Sequence, residues 1–309
     1  MALDREQWLS DIQENLFKNN AIINRAVNHD GFVNYKTVHV PQAGANPTIS
    51  KNLGSFPATI SQRTDSELTY SMDTYYVEPI HIERGQETSY ISYDKRMSVL
   101  NQQLNTLEEV ITNHALYKWA PAGAGTFVKT TGSAVSSALA PSATSTRLAI
   151  TLADILTAKG ILDAANVPQE GRILLMPSSM YNGQLLAIQD VYRMDSYGQS
   201  ALPSGVVNRI HGFDIMIRST VVVYDNTATP VLKTVSDATG APSSPASTDN
   251  LACLAYHPSF VAKAKGSADV FVNENDPAYY GSILSALQNF GASKMRTSQV
   301  GIVAIVQAN

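Results

Sequence analysis

The sequence predicts an α+β protein without a regular alternation of strands and helices. One segment has the apolar spacing of a long helix, and several short apolar runs in the second half have the length and composition of buried strands. Between residues 35 and 92, by contrast, proline and glycine interrupt a long stretch that offers little material for a core. We therefore expect a mixed α+β body that carries a long extension.

The composition favours a protein that contacts other protein. Of the 309 residues, 44% are hydrophobic and 16% are charged. A typical soluble domain has about 25% charged residues, and a surface poor in charge is less protected against association. The net charge of −4 provides no positive field that would grip phosphates. We expect any nearby nucleic acid to be enclosed rather than recognised by sequence.

No apolar run approaches the ~20 residues that span a bilayer, so we expect no membrane partner. The first residues also lack the charged and apolar regions of a signal peptide. The one cysteine, Cys253, lies in a short apolar run, where a free thiol behaves as a small hydrophobic side chain.

Residues 37–92 are predicted to form an extended hairpin. Val38–Val40 and Tyr75–Ile82 have strand composition, and prolines and glycines punctuate the sequence between them. A connection of this length is rarely an ordinary loop. Its apolar side chains need a surface, either the protein's own core or a neighbouring subunit. The candidates for contact between subunits are Ile49, Leu53, Phe56, Ile60 and Tyr70.

A long helix is predicted over residues 94–118. Apolar residues recur at three- and four-residue spacing from Met97 to Ala115, and Asp94 can cap the first turn. At 1.5 Å per residue such a helix would span roughly 37 Å. We expect one packed face, with the opposite, solvated face formed by Gln102, Asn105, Glu109 and Thr112.

The second half is predicted to contain further elements in a definite order. The expected helices are Thr151–Asn166, with Leu152, Ile155, Leu156, Ile161 and Leu162 inward, a short one from Pro177 to Ile188, and Pro277–Asn289. The expected strands are Arg172–Met176, Phe213–Ile217, Val221–Tyr224, Leu251–Tyr256, Val261–Asn273 and Gln299–Val306. Residues 225–250, rich in Thr, Ser, Pro and Ala, are expected to form an exposed loop.

Motifs for catalysis are missing from the sequence. There is no HExxH, Walker A loop, GxGxxG, GxSxG or CxxC pair. Ser92 and Lys95 fit an SxxK pattern, for which a capped helix start is the better explanation. The histidines are scattered, and His39 and His81 on the two predicted hairpin arms could pack across a ladder. We expect no catalytic residue, no cofactor and no metal site.

The order of the predicted elements resembles a known family. A weak N-terminal arm, a long hairpin, one long helix and a mixed region that ends in a strand follow one another. This order resembles the major capsid protein of tailed double-stranded DNA bacteriophages, the Hong Kong 97 fold. Local similarity lies in residues 161–176 with Tyr181 and Leu185–Leu186, in residues 205–215, and in residues 275–306.

The resemblance implies a domain organisation. Residues 1–36 would form an N-terminal arm and residues 37–92 an extended loop over an adjacent subunit. Residues 93–164 would form a peripheral domain around a spine helix at 94–118. Residues 165–290 would form an axial domain, and residues 291–309 a C-terminal strand that returns to the peripheral domain.

The resemblance also implies a function. Copies of the chain would self-assemble into hexamers and pentamers of an icosahedral head that encloses double-stranded DNA, without enzymatic activity. The protein would be located in the virion after assembly in the host cytoplasm, with portal and decoration proteins as possible partners. Only about 35 residues precede the extended loop, so we expect a separate scaffold protein or assembly without one.

Two alternatives remain at this point. A cellular nanocompartment of the encapsulin type would use the same fold around enzyme cargo. An enzyme with a noncanonical site in residues 165–290 would be a soluble monomer with turnover.

Overall fold

The structure is a computed structural model. It describes residue 18 and residues 20–34, 36–52, 54, 56–57, 60–84, 95–122, 125–188, 209–225 and 229–309. Predictions for residues 1–17, for the cap at Asp94, for Leu53 and for residues 205–208 lie outside the described residues.

The described elements are mostly strands. The α-helices are α1 (Lys95–Trp119), α2 (Leu152–Ala164) and α3 (Ser178–Met180). The strands are β1 (Val27–Asn28), β2 (Val33–Asn34), β3 (Thr37–Gln42), β4 (Ser66–Ser71), β5 (Asp73–Tyr76), β6 (Ile80–Glu83), β7 (Phe127–Lys129), β8 (Ala134–Ser136), β9 (Thr146–Leu148), β10 (Arg172–Pro177), β11 (Arg209–Ile210), β12 (Phe213–Arg218), β13 (Val222–Asp225), β14 (Val231–Leu232), β15 (Asp249–Tyr256), β16 (Val261–Asp276), β17 (Gly281–Lys294) and β18 (Ile302–Val306).

The larger sheet contains eight strands and most of the core. Its order is β11-β12-β10-β15-β13-β14, with β18 on the other side of β15 and β7 beside β18. All eight residues of β15 and all five of β18 are buried. Near-continuous apolar runs of this kind are typical of strands covered on both faces. These are the strands that the sequence predicts at Leu251–Tyr256 and near the C-terminus.

The smaller sheet has α1 packed on it. Its order is β1-β16-β17-β5, and β6 also pairs with β17. The α1 residues Leu107, Ile111 and Ala115 are 5%, 3% and 0% exposed, which places this part of the predicted apolar stripe in the core, whereas Met97 at its start is 55% exposed. The long helix is therefore confirmed at nearly the predicted bounds.

Residues 111–117 of α1 are all buried. Thr112, predicted on the solvated face, is only 1% exposed, so a single packed face is wrong for this part of the helix. The reason is that both sheets contact it. The hydroxyl of Tyr117 accepts a hydrogen bond from the amide of Val223 at 3.1 Å in the larger sheet. The indole of Trp119 donates to the carbonyl of Ala262 at 3.0 Å in the smaller one.

The helix α2 and strand β10 are joined as the sequence predicts. Thr151 and Asp154 form a reciprocal capping box at the start of α2. After the helix, the buried guanidinium of Arg172 donates to the carbonyls of Pro168 and Val167 and pairs with Asp163 at 2.7 Å. Leu156, expected to point inward, is 46% exposed.

The helix predicted from Pro277 to Asn289 is wrong. This segment contains most of β17, which pairs with β16 over most of its length. Leu284, Ala286, Gln288 and Phe290 are buried while the residues between them are less so, which is the period-two pattern of a strand. Pairing with a long neighbouring strand overrides the helical spacing of the same apolar residues.

Residues 229–248 are more ordered than the predicted exposed loop. They contain β14 and an isolated bridge between Val235 and Pro242, and the Asn113 side chain of α1 donates to the Thr239 carbonyl at 3.3 Å. At Gly240, whose φ is +60°, an added Cβ would lie 2.6 Å from the Cβ of Asn113. The loop therefore lies on α1.

The predicted division into domains stays a prediction, but one strand crosses a predicted boundary and another pairs with strands of two predicted domains. The expected boundary at residue 290 falls inside β17, which belongs with β16 to the sheet that carries α1. The final strand, β18, pairs with β15 and β7 in the larger sheet.

Replacing Ile111 by Ala should destabilise the unassembled subunit by about 2–5 kcal/mol, because the change leaves a cavity between α1 and the smaller sheet. Denaturant unfolding measures the change. Gln102→Ala, on the exposed side of α1, is the control and should change stability by less than about 0.5 kcal/mol. Equal effects of the two substitutions would contradict the described packing.

Candidate assembly surface

The strands β3 and β4 form the extended hairpin. They pair antiparallel from Thr37 with Ser71 to Gln42 with Ser66. The second arm therefore lies nearer in sequence than the predicted arm at Tyr75–Ile82. As a result His39 and His81 do not face each other: His39 is opposite Thr69 in this ladder, and His81 is opposite Ile283 in the smaller sheet.

A small apolar cluster holds the base of the hairpin. Val38 and Met72 are buried against Ala264 of β16, and Tyr70 packs against them in part. Gly291 allows this approach, since a Cβ there would lie 3.0 Å from the carbonyl oxygen of Ser71. The hairpin thus meets the body where β17 has no side chain.

His29 and Tyr70 add a polar contact at the same place. The ring Nδ1 of His29 lies 3.0 Å from the Tyr70 hydroxyl, and His29 is only 8% exposed. Burial lowers the pKa of His29, while the nearby Asp30 carboxylate opposes this change. Burial, with a smaller contribution from Asp30, raises the pKa of Tyr70 to about 12. Tyr70, predicted as a contact to another subunit, is thus partly covered within its own chain.

Gln42 connects the far end of the β3–β4 ladder to the residues that follow β17 by hydrogen bonds. Its Nε2 donates to the Met295 carbonyl at 3.1 Å, and its Oε1 lies 3.4 Å from the Thr297 hydroxyl. No sequence motif marks this residue, because its partners are about 250 positions away. The contact was therefore not predicted.

Beyond this ladder the hairpin continues as a tip, defined here as residues 43–65. The Asp65 carboxylate accepts from the Gly44 amide at 2.9 Å and pairs with Arg63 at 2.7 Å. These two partners, Arg63 first, lower the pKa of Asp65. The two ends of the tip are thus held together where it leaves the ladder.

The predicted contact residues of the tip are uncovered. Ile49 is 92% exposed, Phe56 84% and Ile60 95%. Several large apolar side chains that are this exposed rarely lie together on one element of a monomeric protein. Leu53 lies outside the described residues. These three side chains therefore have little cover from the described part of the chain.

A second exposed apolar region lies on the β16–β17 hairpin, and the sequence did not predict it. Val270, Phe271 and Val272 of β16 are 42%, 54% and 43% exposed, and Tyr279 and Tyr280 at the turn are 56% and 79% exposed. The sequence predicts a helix at 277–289 in place of β17, so it does not predict the β16–β17 hairpin or the exposed side chains at its end.

The described residues provide little for catalysis. Cys253 is fully buried, and burial raises the pKa of its thiol. Within the described ranges no group of three or more His, Cys, Asp or Glu side chains is arranged to hold a metal ion. In the same part of the chain, no helix combines the length and apolar character required to cross a bilayer. Ser92, of the SxxK pattern, lies outside the described residues.

Comparisons with known proteins agree on one kind of molecule. A family model described as phage capsid protein matches residues 108–306, more than half of the chain. The capsid structure of cyanophage P-SCSP1u has a TM-score of 0.68 at 17% identity, covering 98% of this chain and 92% of that one. The mature capsid of bacteriophage PhiM1 has a TM-score of 0.67 at 12% identity, covering 98% and 91%. Among curated proteins none matches.

Replacing His29 by Gln should weaken the loss of stability on acidification. Because burial lowers the pKa of His29 in the folded state, the unfolded chain binds the proton first as the pH falls below the ordinary value of 6.5. The free energy of unfolding therefore decreases as the pH falls through this range. This loss continues down to the lowered pKa of the folded state. The measurement is denaturant unfolding at about pH 7.5 and about pH 5.

The remaining pH dependence should come from His114, His211 and His257, whose pKa values burial also lowers. Tyr70→Phe is the control, since it removes the hydroxyl but keeps the imidazole. It should lower stability at both pH values while keeping the wild-type pH dependence. An unchanged pH dependence in His29→Gln would show that this ring does not respond as described.

Proposed function

The chain belongs to the phage capsid protein family, and from this membership we propose that its copies build the head through the hairpin tip. The family membership gives it a structural role in the virion, as a capsid subunit that associates with copies of itself. The fold is the predicted Hong Kong 97-like capsid fold, since solved phage capsids match almost the whole chain.

The observation that carries the proposal is the exposure of the tip. Ile49, Phe56 and Ile60 are each more than four-fifths exposed. Burial of apolar surface contributes roughly 25 cal/mol per Å², so covering these three side chains on a neighbour stabilises the assembly. Within the described residues, the hairpin is attached to the body at its base, through Val38, Met72 and Tyr70, and at Gln42. The exposed side chains of the tip are therefore available to contact another subunit.

In this proposal the chain is the major subunit of an icosahedral shell made of hexamers and pentamers. The acidic chain encloses double-stranded DNA without recognising its sequence, because a net charge of −4 favours no close phosphate contact. Assembly takes place in the host cytoplasm, with a separate scaffold protein or without one, and a portal and decoration proteins are the further partners. The role requires no catalysis.

A nanocompartment shell is not favoured, since the matching family model is that of phage capsids. Mass spectrometry of the contents of purified particles separates the two roles: the phage role requires DNA, and enzyme cargo would contradict it.

Replacing Ile49, Phe56 and Ile60 together by Ser should leave a folded subunit that assembles poorly. The three side chains contact little of their own chain, so the unfolding midpoint should change only slightly. Sedimentation velocity and electron microscopy measure the yield of closed particles. The matched control replaces Leu156 and Val231, exposed at 46% and 61% elsewhere, by Ser and should assemble normally. Normal particles from the triple variant would refute the role of the tip.

A further inference from the structure

The chain crosses between the two sheets at two places that lie side by side. Residues 257–260 connect β15 of the larger sheet to β16 of the smaller one, and residues 295–301 connect β17 to β18. The amide of Met295 in the second crossing donates to the carbonyl of Phe260 in the first at 2.9 Å. The two crossings therefore form one junction between the sheets.

Phe260 is the centre of this junction. A Cβ at Gly301, whose φ is +92°, would overlap the ring of Phe260, so the second crossing can approach the ring only as glycine. The Cζ atom of Arg296 lies over the face of the same ring, 5.9 Å from its centre. Movement of Phe260 therefore changes the position of the second crossing.

The imidazole of His257 holds the first crossing in place. Pro258–Phe260 form a short 3₁₀ helix, and Nδ1 of His257 caps it by accepting a hydrogen bond from the Ser259 amide at 3.2 Å. Nε2 lies 3.0 Å from the carbonyl oxygen of Glu170, in the turn between α2 and β10. Because a carbonyl oxygen only accepts, Nε2 carries the proton and Nδ1 is the acceptor. These contacts therefore require the neutral ring.

Protonation of His257 removes the cap. An imidazolium ring has donors on both nitrogens, so Nδ1 no longer accepts from the Ser259 amide. The Ser259 hydroxyl, 2.6 Å from Nδ1, still offers an acceptor to the ring, but the amide of the 3₁₀ helix is left without one. The first crossing is therefore less firmly held when the ring is charged.

The charges around the ring favour its neutral form. Arg172 of β10, whose guanidinium also pairs with Asp163 of α2, faces the imidazole. Arg296 of the second crossing lies over Phe260, whose ring contacts the imidazole edge to face at 6.1 Å. Burial lowers the pKa of His257; its hydrogen bond to the turn carbonyl opposes this change, and Arg172 adds to it. The folded subunit therefore takes up this proton below the ordinary value of 6.5.

The extended hairpin is attached at the same junction. Gln42 of β3 donates to the carbonyl of Met295, whose own amide is bound to Phe260. Gln42 and Ser259 also line one hollow, of about 460 Å³. A change at His257 therefore passes through Phe260 and Met295 to the hairpin.

We propose that His257 is a positioning residue for the extended hairpin: its neutral imidazole holds the junction in the form that Gln42 binds, and its protonation loosens this attachment. The inference rests on the proposed function, because it concerns the hairpin whose tip contacts neighbouring copies. His257 acts within its own chain. The attachment should weaken reversibly as the pH falls below 6.5.

Hydrogen exchange of the full-length, unassembled subunit tests this coupling. Peptides that contain Met295 or Gln42 are followed between about pH 7.5 and about pH 4.5, with labelling times scaled to the intrinsic exchange rate. His257→Asn keeps a cap that does not titrate, since the Asn carboxamide accepts from the Ser259 amide. Protection lost on acidification should be about fivefold larger in the wild type than in His257→Asn, as expected for one helix cap.

Two further variants complete the test. His257→Ala has no cap at any pH and should show the low protection already at about pH 7.5. His81→Gln removes an exposed imidazole from β6 and should keep the wild-type response. An equal acid response in the wild type and in His257→Asn would overturn the proposal.

Particle yield separates this inference from the role of the tip. Sedimentation velocity at about pH 7.5 should give fewer closed particles for His257→Ala and a wild-type yield for His257→Asn. Normal particles from His257→Ala would overturn the positioning role, even where the triple variant of the tip fails to assemble. Normal particles from the triple variant would instead refute the role of the tip and leave the exchange result for His257 intact.

Discussion

The burial of the second half of α1 is the constraint on which the other parts of the structure depend. Residues 111–117 are buried throughout, because the helix contacts one sheet through Tyr117 and the other through Trp119. The Lys294 ammonium also donates to the Ala120 carbonyl at 2.7 Å, just past the helix end, where a positive charge favours the helix dipole. One helix therefore fixes the relative position of the two sheets and of everything attached to them.

The hairpin is attached to this body in a different way. Its base has a few apolar side chains, and the rest of its attachment consists of single polar contacts such as those of Gln42 and His29. Contacts of this kind contribute about 1 kcal/mol each. A rigid body and a lightly held arm suit a shell in which each copy must fit slightly different neighbours.

Much of this architecture could be predicted from the sequence. The spacing of Leu107, Ile111 and Ala115 indicates the long helix, and the apolar run at residues 251–256 indicates a buried strand. The prolines and glycines before Ser66 indicate the hairpin and its uncovered tip. These are local signals, and local patterns are what a single sequence displays.

The errors arose where distant partners decide the structure. The segment 281–294 fits helical spacing and strand alternation equally, and only the presence of β16 selects the strand. Thr112 is buried although the helical spacing predicts it on the solvated face, because it lies beside residues 18–24 and the smaller sheet. In the same way, the contact of Gln42 with Met295 joins residues far apart in the chain, so no sequence motif indicates it.

The contacts of Asp65 with Gly44 and Arg63, where the tip begins, have a consequence for evolution. Because the apolar side chains of the tip are exposed, substitutions there have little effect on the folding of the subunit. Selection acts on them mainly through the surface that they contact in the assembled shell. Substitutions there should accumulate together with compensating ones on that surface, so that related phages diverge in this paired region while keeping the same scaffold.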